Sequence, residues 1–264
     1  MVIGAHPDDC ETAGGIALKL KNLGWRVRFL SATNGAAGHQ TMQGAALALR
    51  RQEEARKVST LTGIEYEILD VEDGSLTTNL PERLMMMKAI RQYFPDVIIT
   101  HRPWDYHPDH RNTSILVQDC SYLLQVPNVC PLTAPMTLVP AIFYIQDRFL
   151  KPYPFKPDLV FDVSHVADEK LLMYHQYASQ MYEWLPWVDH VPPDVIPSGD
   201  TERLHWLSGT RFGTMDMIYA NHFRQQLVQK YGEAGKQTVH AEALEICEYG
   251  RRLTDTQLSE LFPF

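Results

Sequence analysis

Short apolar runs alternate along the chain with longer segments in which apolar residues are spaced as on one face of a helix. The short runs predict β-strands and the longer segments predict α-helices. Strands that alternate with helices of this length are typical of βαβ units and indicate a mostly parallel sheet. The predicted strands are residues 1–5, 25–33, 66–71, 95–100, 141–146 and 159–163, and the predicted helices are residues 12–23, 41–61, 81–93, 111–124, 166–182, 222–231 and 239–252.

The pattern predicts an α/β fold of the Rossmann-like type, in which helices cover both faces of a mostly parallel sheet. After residue 182 the composition changes, because Trp and Pro become frequent in the sequence WLPWVDHVPPDVIPSGD. We therefore expect one domain over residues 1–182 and a C-terminal elaboration of helices and loops over residues 183–264, packed on the same domain. The Trp- and Pro-rich segment is expected to wall a pocket or an interface.

Two of the predicted strands lead into turns that contain the same residue types. Residues 1–5 lead into the sequence HPDD at positions 6–9, and residues 95–100 lead towards YHPDH at positions 106–110. Because ligands bind at the carboxyl ends of parallel strands, we expect the two turns to meet at that edge of the sheet. Together they contain three histidines and three aspartates, and a proline stiffens each turn. Histidine nitrogens and carboxylate oxygens are the ligands of catalytic zinc sites that keep an open position for water.

The motif AHPDDxE near the start of the chain, with HPDH later, resembles the signature of the LmbE/PIG-L family of zinc-dependent N-deacetylases. The resemblance extends well over residues 1–130 and loosely over residues 155–180. It implies a hydrolase that removes an N-acetyl group from an amino sugar or glycoconjugate, such as an N-acetylglucosamine derivative. Other stretches that agree with the family are Thr33 to Gly35, Gly38 to His39, Arg51 to Glu54 with Gly63 beyond, and Asp73 to Gly74.

The resemblance implies a role for five residues of the two turns. His6, Asp9 and His110 match the metal ligands of the family. The expected metal is Zn²⁺, although this ligand set also accepts Fe²⁺, Mn²⁺ or Co²⁺. Asp8 matches the general base that activates a water held by the metal. His107 is expected to polarise the amide carbonyl, stabilise the oxyanion or protonate the departing amine.

Two neighbours of His107 are also assigned to the catalytic group. Asp109 is expected to hold one of the histidines in its tautomer, as carboxylates around metal sites do. Tyr106 is expected either to donate a hydrogen bond to the oxyanion or simply to pack.

Arg51, Asp73 and Asn34 are the positions that match substrate contacts. Arg51 is expected to reach hydroxyls or a phosphate of the substrate, with a helix-face ion pair to Glu54 as the alternative. Asp73 is expected to bond sugar hydroxyls, with a simple turn aspartate as the alternative, and Asn34 is the weakest of the three.

Composition limits the classes of partner and compartment. The chain has 264 residues, of which 45% are hydrophobic and 21% are charged, and its net charge is −8. This acidic balance argues against nucleic-acid binding, which needs a basic stripe. Four cysteines without CxxC spacing predict free thiols in the cytoplasm, unless a leader precedes this sequence. We expect no membrane span, since no apolar run is long enough, and the resemblance implies a homo-oligomer.

Other interpretations remain open at this point. Ala36 stands where many relatives have an acid, which allows a metal-dependent hydrolase of a different small amide or ester, such as a thiol–sugar conjugate. A non-catalytic carbohydrate-binding protein on the same fold is a third interpretation, although every predicted ligand and the base are present. Trp184, Trp187 and Trp206 are assigned to the core, with stacking on a sugar face as the alternative. A nucleotide-binding protein is disfavoured, because GxGxxG is absent.

Overall fold

The computed structural model describes residues 1–264. Seven strands form one sheet in the order β3-β2-β1-β4-β5-β7-β6. Strands β1 to β5 pair in parallel, and β7 is antiparallel to both of its neighbours. The strands are β1 (Val2–Gly4), β2 (Arg28–Ser31), β3 (Glu65–Ile68), β4 (Val97–Thr100), β5 (Ala141–Ile145), β6 (Leu159–Asp162) and β7 (Ala241–Ile246).

Helices connect the strands and continue through the C-terminal region. None of them combines the length and the apolar character needed to cross a lipid bilayer. The helices are α1 (Gly14–Asn22), α2 (Gly44–Thr62), α3 (Leu80–Tyr93), α4 (Pro108–Leu123), α5 (Ala167–His175), α6 (Leu185–Val188), α7 (Asp200–Ser208), α8 (Arg211–His222), α9 (Arg224–Tyr231) and α10 (Asp255–Leu261).

The sheet is buried on both faces, as an α/β fold requires. Neighbouring residues of a strand point to opposite faces. Val2 and Ile99 therefore pack into a core with residues of α1, α2 and α5, whereas Ile3 and Ile98 pack into a second core with residues of α3 and α4. A third, smaller cluster packs α8 and α9 against β6 and β7. The predicted Rossmann-like α/β class, with a mostly parallel sheet and helices on both faces, is confirmed.

The prediction of a helix over residues 239–252 is wrong, because this region contains strand β7. Its sequence AEALEI is rich in Ala, Glu and Leu, which favour helices when a segment is considered alone. In the folded chain β7 lies between β5 and β6, and five of its six residues are buried. Its two glutamates have partners inside the protein: Glu242 pairs with Lys170, and Glu245 accepts a hydrogen bond from Tyr153. Tertiary pairing therefore overrides local propensity.

The C-terminal half contains elements that the pattern did not predict. The predicted helix over residues 166–182 divides into α5 and a π-helical turn at Ser179–Trp184. Helices α6, α7, α8 and α10 are absent from the predicted elements, and α6 and α10, with four and seven residues, are too short to show a helical period. Strand β7 carries the chain back into the sheet, so residues 183–264 complete the sheet that residues 1–182 begin. The proposed boundary at residue 182 stays a prediction.

Candidate metal centre

The two predicted turns meet at one edge of the sheet. Strands β1 and β4 are parallel neighbours, with Val2 opposite Ile99, so both of the following turns leave the sheet at the same end. The imidazole rings of His6 and His110 come within 5.2 Å of each other, centroid to centroid. The topology therefore places side chains that are about a hundred residues apart in one cluster.

Three atoms of this cluster form a nearly equilateral triangle. His6 Nδ1 lies 3.3 Å from Asp9 Oδ2 and 3.3 Å from His110 Nε2, and His110 Nε2 lies 3.4 Å from Asp9 Oδ2. Ligands at about 2.0–2.1 Å from a tetrahedral metal ion are separated by about 3.3–3.4 Å. The three predicted ligands therefore have the spacing that a metal ion requires, with the remaining side open.

The surrounding residues offer further donor atoms. Potential ligand atoms lie within 4.8 Å of one another in three overlapping groups, which are His6 with His107 and His110, Asp9 with His101 and His110, and His6 with Asp73 and Asp109. The triangle of His6, Asp9 and His110 is tighter, because its sides are only 3.3–3.4 Å long. It also leaves the other ring nitrogens of its two histidines facing carboxylates. We therefore take His6, Asp9 and His110 as the candidate ligand set.

Backbone groups hold the Asp9 carboxylate in place. Its Oδ2 accepts hydrogen bonds from the backbone N–H groups of Ala5 at 3.0 Å and His6 at 2.7 Å. A side chain on Gly4 would place its Cβ 2.6 Å from Asp9 Cβ, so glycine is required beneath this residue. The loop between β1 and α1 is thus built around the Asp9 side chain.

Carboxylates face the outer nitrogens of the two candidate histidine ligands. His6 Nε2 lies 3.1 Å from Asp73 Oδ1 and 3.4 Å from Asp109 Oδ2. His110 Nδ1 lies 3.0 Å from Asp105 Oδ1, as an ion-pair contact without good hydrogen-bond geometry. Such carboxylates fix the tautomer and orientation of metal-binding histidines.

These contacts also change the affinity of the histidines for protons. Burial lowers the pKa of His6, but hydrogen bonds to Asp109, Asp73 and Asp9 outweigh burial and raise this pKa well above its ordinary value. Burial also lowers the pKa of His110, but the carboxylates of Asp9 and Asp105 outweigh burial and raise this pKa above its ordinary value. A metal ion must displace these protons, so we expect metal binding to release protons.

Two further residues belong to this site, of which His101 is also indicated by its position in the loop before HPDH. Asp105 has no motif of its own, and only its position five residues before His110 could have indicated it. His101 accepts a hydrogen bond from Ala5 N–H through Nε2 at 3.2 Å and stacks on His110 with ring centroids 4.2 Å apart. Its Nε2 also lies 3.4 Å from Asp9 Oδ2, so His101 supports both metal-ligand turns.

Asp8 lies beside the candidate ligands but has a different partner. Its backbone φ is 137°, a strained value for a residue other than glycine. Asp8 Oδ1 lies 3.2 Å from the guanidinium of Arg51, which also donates to the carbonyl of Pro7. Burial raises the pKa of Asp8 to about 6, and the Arg51 cation opposes this increase. Two adjacent aspartates therefore have separate surroundings.

His107 and Tyr106 lie on the pocket side of the cluster. His107 Nδ1 accepts a hydrogen bond from the N–H of Asp109 at 3.2 Å at the start of α4. Burial lowers the pKa of His107, and so do the neighbouring His6 and His110 rings. A neutral ring whose Nδ1 accepts carries its proton on Nε2. The Tyr106 side chain stands at the rim, 74% exposed.

The three residues predicted to contact substrate all have partners within the protein. Arg51 is only 1% exposed and lies 3.6 Å from Glu54, the ion pair that was the alternative interpretation. Asp73 Oδ2 accepts a hydrogen bond from Ala37 N–H at 3.1 Å, in addition to its contact with His6. Asn34 accepts one from Ala36 N–H at 3.1 Å within its own loop. Arg51 and Asp73 line the pocket, and their substrate contacts stay predictions.

The cluster opens into a pocket of about 690 Å³. The wall of this pocket includes apolar side chains from the C-terminal half, namely Trp184, Leu185, Val188 and Phe212. Trp184 stacks on Trp187 with ring centroids 5.3 Å apart, whereas Trp206 packs beside Tyr182 against the main core. The Trp- and Pro-rich segment thus contributes a pocket wall, as expected.

Known proteins are similar to this chain in sequence and in fold. Residues 1–121 match the family model described as PIG-L: GlcNAc-PI de-N-acetylase. The chain is similar to a diacetylchitobiose deacetylase of Thermococcus kodakarensis, with 29% identity over 226 residues, which are 80% of this chain and 82% of that protein.

Two solved structures illustrate the likeness in fold. One is N,N'-diacetylchitobiose deacetylase from Pyrococcus horikoshii, with a TM-score of 0.69, 23% identity and coverage of 94% of this chain and 83% of that chain. The other is GalB, the 4-carboxy-2-hydroxymuconate hydratase from Pseudomonas putida KT2440, with a TM-score of 0.73, 18% identity and coverage of 96% and 97%. One architecture therefore carries both a deacetylase and a hydratase.

Proposed function

We propose that this chain, whose residues 1–121 match the PIG-L family model, is a metal-dependent hydrolase that removes an N-acetyl group from an amino sugar or glycoconjugate. The observation that carries the proposal is the triangle of His6, Asp9 and His110, with the Asp8 carboxylate beside it in the same pocket. A structural metal site is closed by protein ligands, whereas a hydrolytic site keeps an open position and a nearby base.

Two histidine nitrogens and one carboxylate oxygen are the donors of the proposed metal site. This donor set fits Zn²⁺, and Fe²⁺, Mn²⁺ and Co²⁺ accept it as well. When bound, the ion polarises an amide carbonyl and lowers the pKa of a coordinated water to about 7. Asp73 and Asp109 contact the outer nitrogen of His6, and Asp105 contacts that of His110, so the inner nitrogens of the two rings would be left to hold the ion.

Asp8 is the proposed general base. Its pKa of about 6 leaves the carboxylate ionised at neutral pH, yet basic enough to accept a proton from the attacking water. Asp8 is paired with Arg51 and Asp9 is not, so Asp9 would hold the metal and Asp8 would accept the proton. Water adds to the amide carbon, the C–N bond breaks, and the proton taken by Asp8 returns to the departing amine. The products are acetate and a free amine.

His107 is the proposed donor to the oxyanion. Because its Nδ1 accepts from the backbone, its Nε2–H is available to the carbonyl oxygen as negative charge develops there. Tyr106 is placed at the rim and is proposed to donate to the same oxygen or to cover the bound substrate. Asp109 is proposed to act through the histidine that it contacts, and not by touching substrate.

Arg51, Asp73 and Asn34, the residues predicted to contact substrate, all bind other parts of the protein. Arg51 and Asp73 line the pocket, but their contacts favour positioning roles, the first for Asp8 and the second for His6. Asn34 stabilises the loop that begins after β2. We propose that any contact of these three residues with the sugar is secondary to their roles within the protein.

A second candidate function is hydration of an unsaturated carboxylate. The likeness to GalB over nearly the whole chain favours it, and so do Arg148 and Arg211 in the pocket lining, because guanidinium groups pair with carboxylates. An activated water and a neighbouring acid serve either reaction. The two functions differ in the bond that reacts, so product analysis distinguishes them.

A substrate panel with matched variants tests the proposal. Amine release from N-acetylated mono- and disaccharides is measured with metal-loaded protein, and loss of ultraviolet absorbance is measured with unsaturated dicarboxylates. Asp8→Ala should retain the metal and lose activity by about 10²- to 10⁴-fold, the usual contribution of a general base.

Three results separate the candidates. Metal-dependent amine release that requires Asp8 supports the deacetylase proposal. Hydration without amine release supports the second candidate. An Asp8→Ala variant that keeps the wild-type rate contradicts the base assignment, whichever bond reacts.

A further inference from the structure

A buried ionic cluster connects the C-terminal half of the protein to the loop that carries the candidate metal ligands. Lys170 Nζ, on α5, lies 2.7 Å from Asp216 Oδ2 on α8 and 2.7 Å from Glu242 Oε1 on β7. The three side chains are 5%, 11% and 0% exposed, respectively. We call these three residues the C-terminal clamp. All of them lie outside the part of the chain that matches the family model.

Glu242 provides the cap that α1 lacks locally. The residue before α1 is Ala13, which has no polar side chain and makes no capping hydrogen bond. Instead, Glu242 Oε1 accepts a hydrogen bond from Gly15 N–H at 2.7 Å, and Oε2 accepts one from Ile16 N–H at 2.8 Å. A carboxylate at this position also complements the positive end of the helix dipole. The start of α1 is therefore fixed from the far end of the chain.

Gly15 is the residue that makes this contact possible. A Cβ at this position would lie 2.7 Å from Glu242 Oε1 and 2.7 Å from Val163 Cβ. Both distances are shorter than real Cβ contacts, so a larger residue would displace the carboxylate or the chain at Val163, just after β6. The glycine allows close approach of the strand that carries the cap.

Lys170 extends the clamp to the metal-ligand loop. Its Nζ donates to the carbonyl of Thr12 at 3.1 Å, and Thr12 N–H donates to the carbonyl of Asp9 at 3.0 Å. The clamp is thus two hydrogen bonds away from a candidate metal ligand. The clamp contacts the chain just after Asp9. Neither the turn at residues 10–13 nor α1 is capped there by the side chain of its own N-cap residue.

Stability alone is a poor explanation for this cluster. Two carboxylates face one ammonium in the interior, and burying charges costs free energy that apolar side chains would not cost. In some proteins, buried charged groups of this kind specify one conformation. We propose that the C-terminal clamp positions the loop of His6, Asp8 and Asp9, so that metal affinity depends on Glu242 and Lys170. This inference rests on the proposed metal site.

Cobalt binding by Glu242→Gln tests the proposal. Glutamine has the shape of glutamate, but it cannot accept from both backbone N–H groups, because its amide nitrogen is a donor. Metal-free full-length protein is titrated with Co²⁺, and binding is followed by visible absorption, whose spectrum also reports ligand geometry. We expect Glu242→Gln to bind Co²⁺ about tenfold more weakly than the wild type, as for other residues that orient ligands, and with an altered spectrum.

Arg91→Met is the control for a general loss of stability. Arg91 is also buried and donates to backbone carbonyls near the C-terminal end of α4, among them those of Leu123 and Leu124. That end of α4 is about 20 Å from His110 at a rise of about 1.5 Å per residue. This variant should have a lower Tm and wild-type Co²⁺ affinity.

The outcomes distinguish the clamp from the metal site itself. If Glu242→Gln lowers Tm but binds Co²⁺ as the wild type does, the clamp is only structural and the inference is wrong. If the wild type binds no Co²⁺, the proposed metal site fails and the inference fails with it. Should Glu242→Gln not fold, Gly15→Ala takes its place, since it displaces the same carboxylate, and unchanged Co²⁺ affinity in Gly15→Ala overturns the inference.

Discussion

Asp8 and Asp9 are adjacent in the sequence, yet the pKa values of their carboxyl groups are shifted in opposite directions. Burial raises the pKa of both groups. For Asp9 three surrounding histidines outweigh burial and hold the pKa well below its ordinary value, whereas Arg51 only partly offsets burial for Asp8, whose pKa rises to about 6. A carboxylate that stays ionised suits a metal ligand, and one with a raised pKa suits a base.

The pH dependence of activity should report the ionisation of Asp8. Its protonated form cannot accept a proton, so kcat/KM should fall as pH decreases through about 6. Arg51 lowers this pKa, and Arg51→Gln should therefore move the acid limb to higher pH. Arg51→Lys keeps the positive charge and should leave the limb near its wild-type position. If the limb in Arg51→Gln does not move, it belongs to a group other than Asp8.

Asp105 should affect metal binding without touching the metal. Asp105→Asn removes the charge beside His110 Nδ1, and loss of such a carboxylate typically weakens metal affinity about 10- to 100-fold. Competition with a chelating dye measures this affinity. Asp119→Asn, on the exposed surface of α4, is the matched control and should bind metal as the wild type does. Equal affinities in the two variants would remove Asp105 from the site.

Sequence patterns predict residue types at this site better than the roles of single atoms. The two motifs placed His6, Asp9 and His110 together, because each motif follows a strand and parallel strands end at one edge. The contributions of Asp105 and His101 depend on which ring nitrogen faces which neighbour. No spacing in the sequence encodes ring orientation, so the atoms that these two residues contact are known only from the folded arrangement.

At the scale of elements, the main prediction errors occur where tertiary contacts decide the structure. Strand β7 has the composition of a helix, but its position between two strands determines its conformation. The π-helical turn Ser179–Trp184 is another case, since its sequence continues the helical pattern of α5. Single π-turns occur frequently at functional sites, and this one directs Trp184 into the pocket wall.

Trp184 should contribute to substrate binding and not to the chemical step. Its ring lines the pocket and is supported by Trp187, so it offers a flat face to a sugar ring or an apolar group of the substrate. Trp184→Ala should raise KM roughly tenfold, or about 1.4 kcal/mol, with kcat little changed, and Trp184→Phe should recover most of the loss. Steady-state kinetics on a disaccharide substrate measures both constants. A fall in kcat at unchanged KM would contradict this role.

At the scale of the whole molecule, the site depends on both ends of the chain. The ligand turns follow β1 and β4 near the centre of the sheet, whereas the pocket wall and the C-terminal clamp come from residues after 160. The α/β class was predictable from the alternation of strands and helices. The return of the chain into the sheet through β7 was not, because this long-range pairing leaves no local signal in the sequence.

A chain that ends at residue 182 should therefore not fold independently. Without β7, strand β6 loses its neighbour in the sheet and Lys170 loses both carboxylates. Breaking a buried ion pair in this way typically costs about 3–5 kcal/mol, a large part of the stability of a domain. We expect no cooperative thermal transition by circular dichroism for residues 1–182 alone, and recovery of the transition when residues 183–264 are supplied as a separate fragment. A cooperative transition together with metal binding by residues 1–182 alone would show instead that the first 182 residues are an autonomous domain and that the C-terminal region is dispensable for the metal centre.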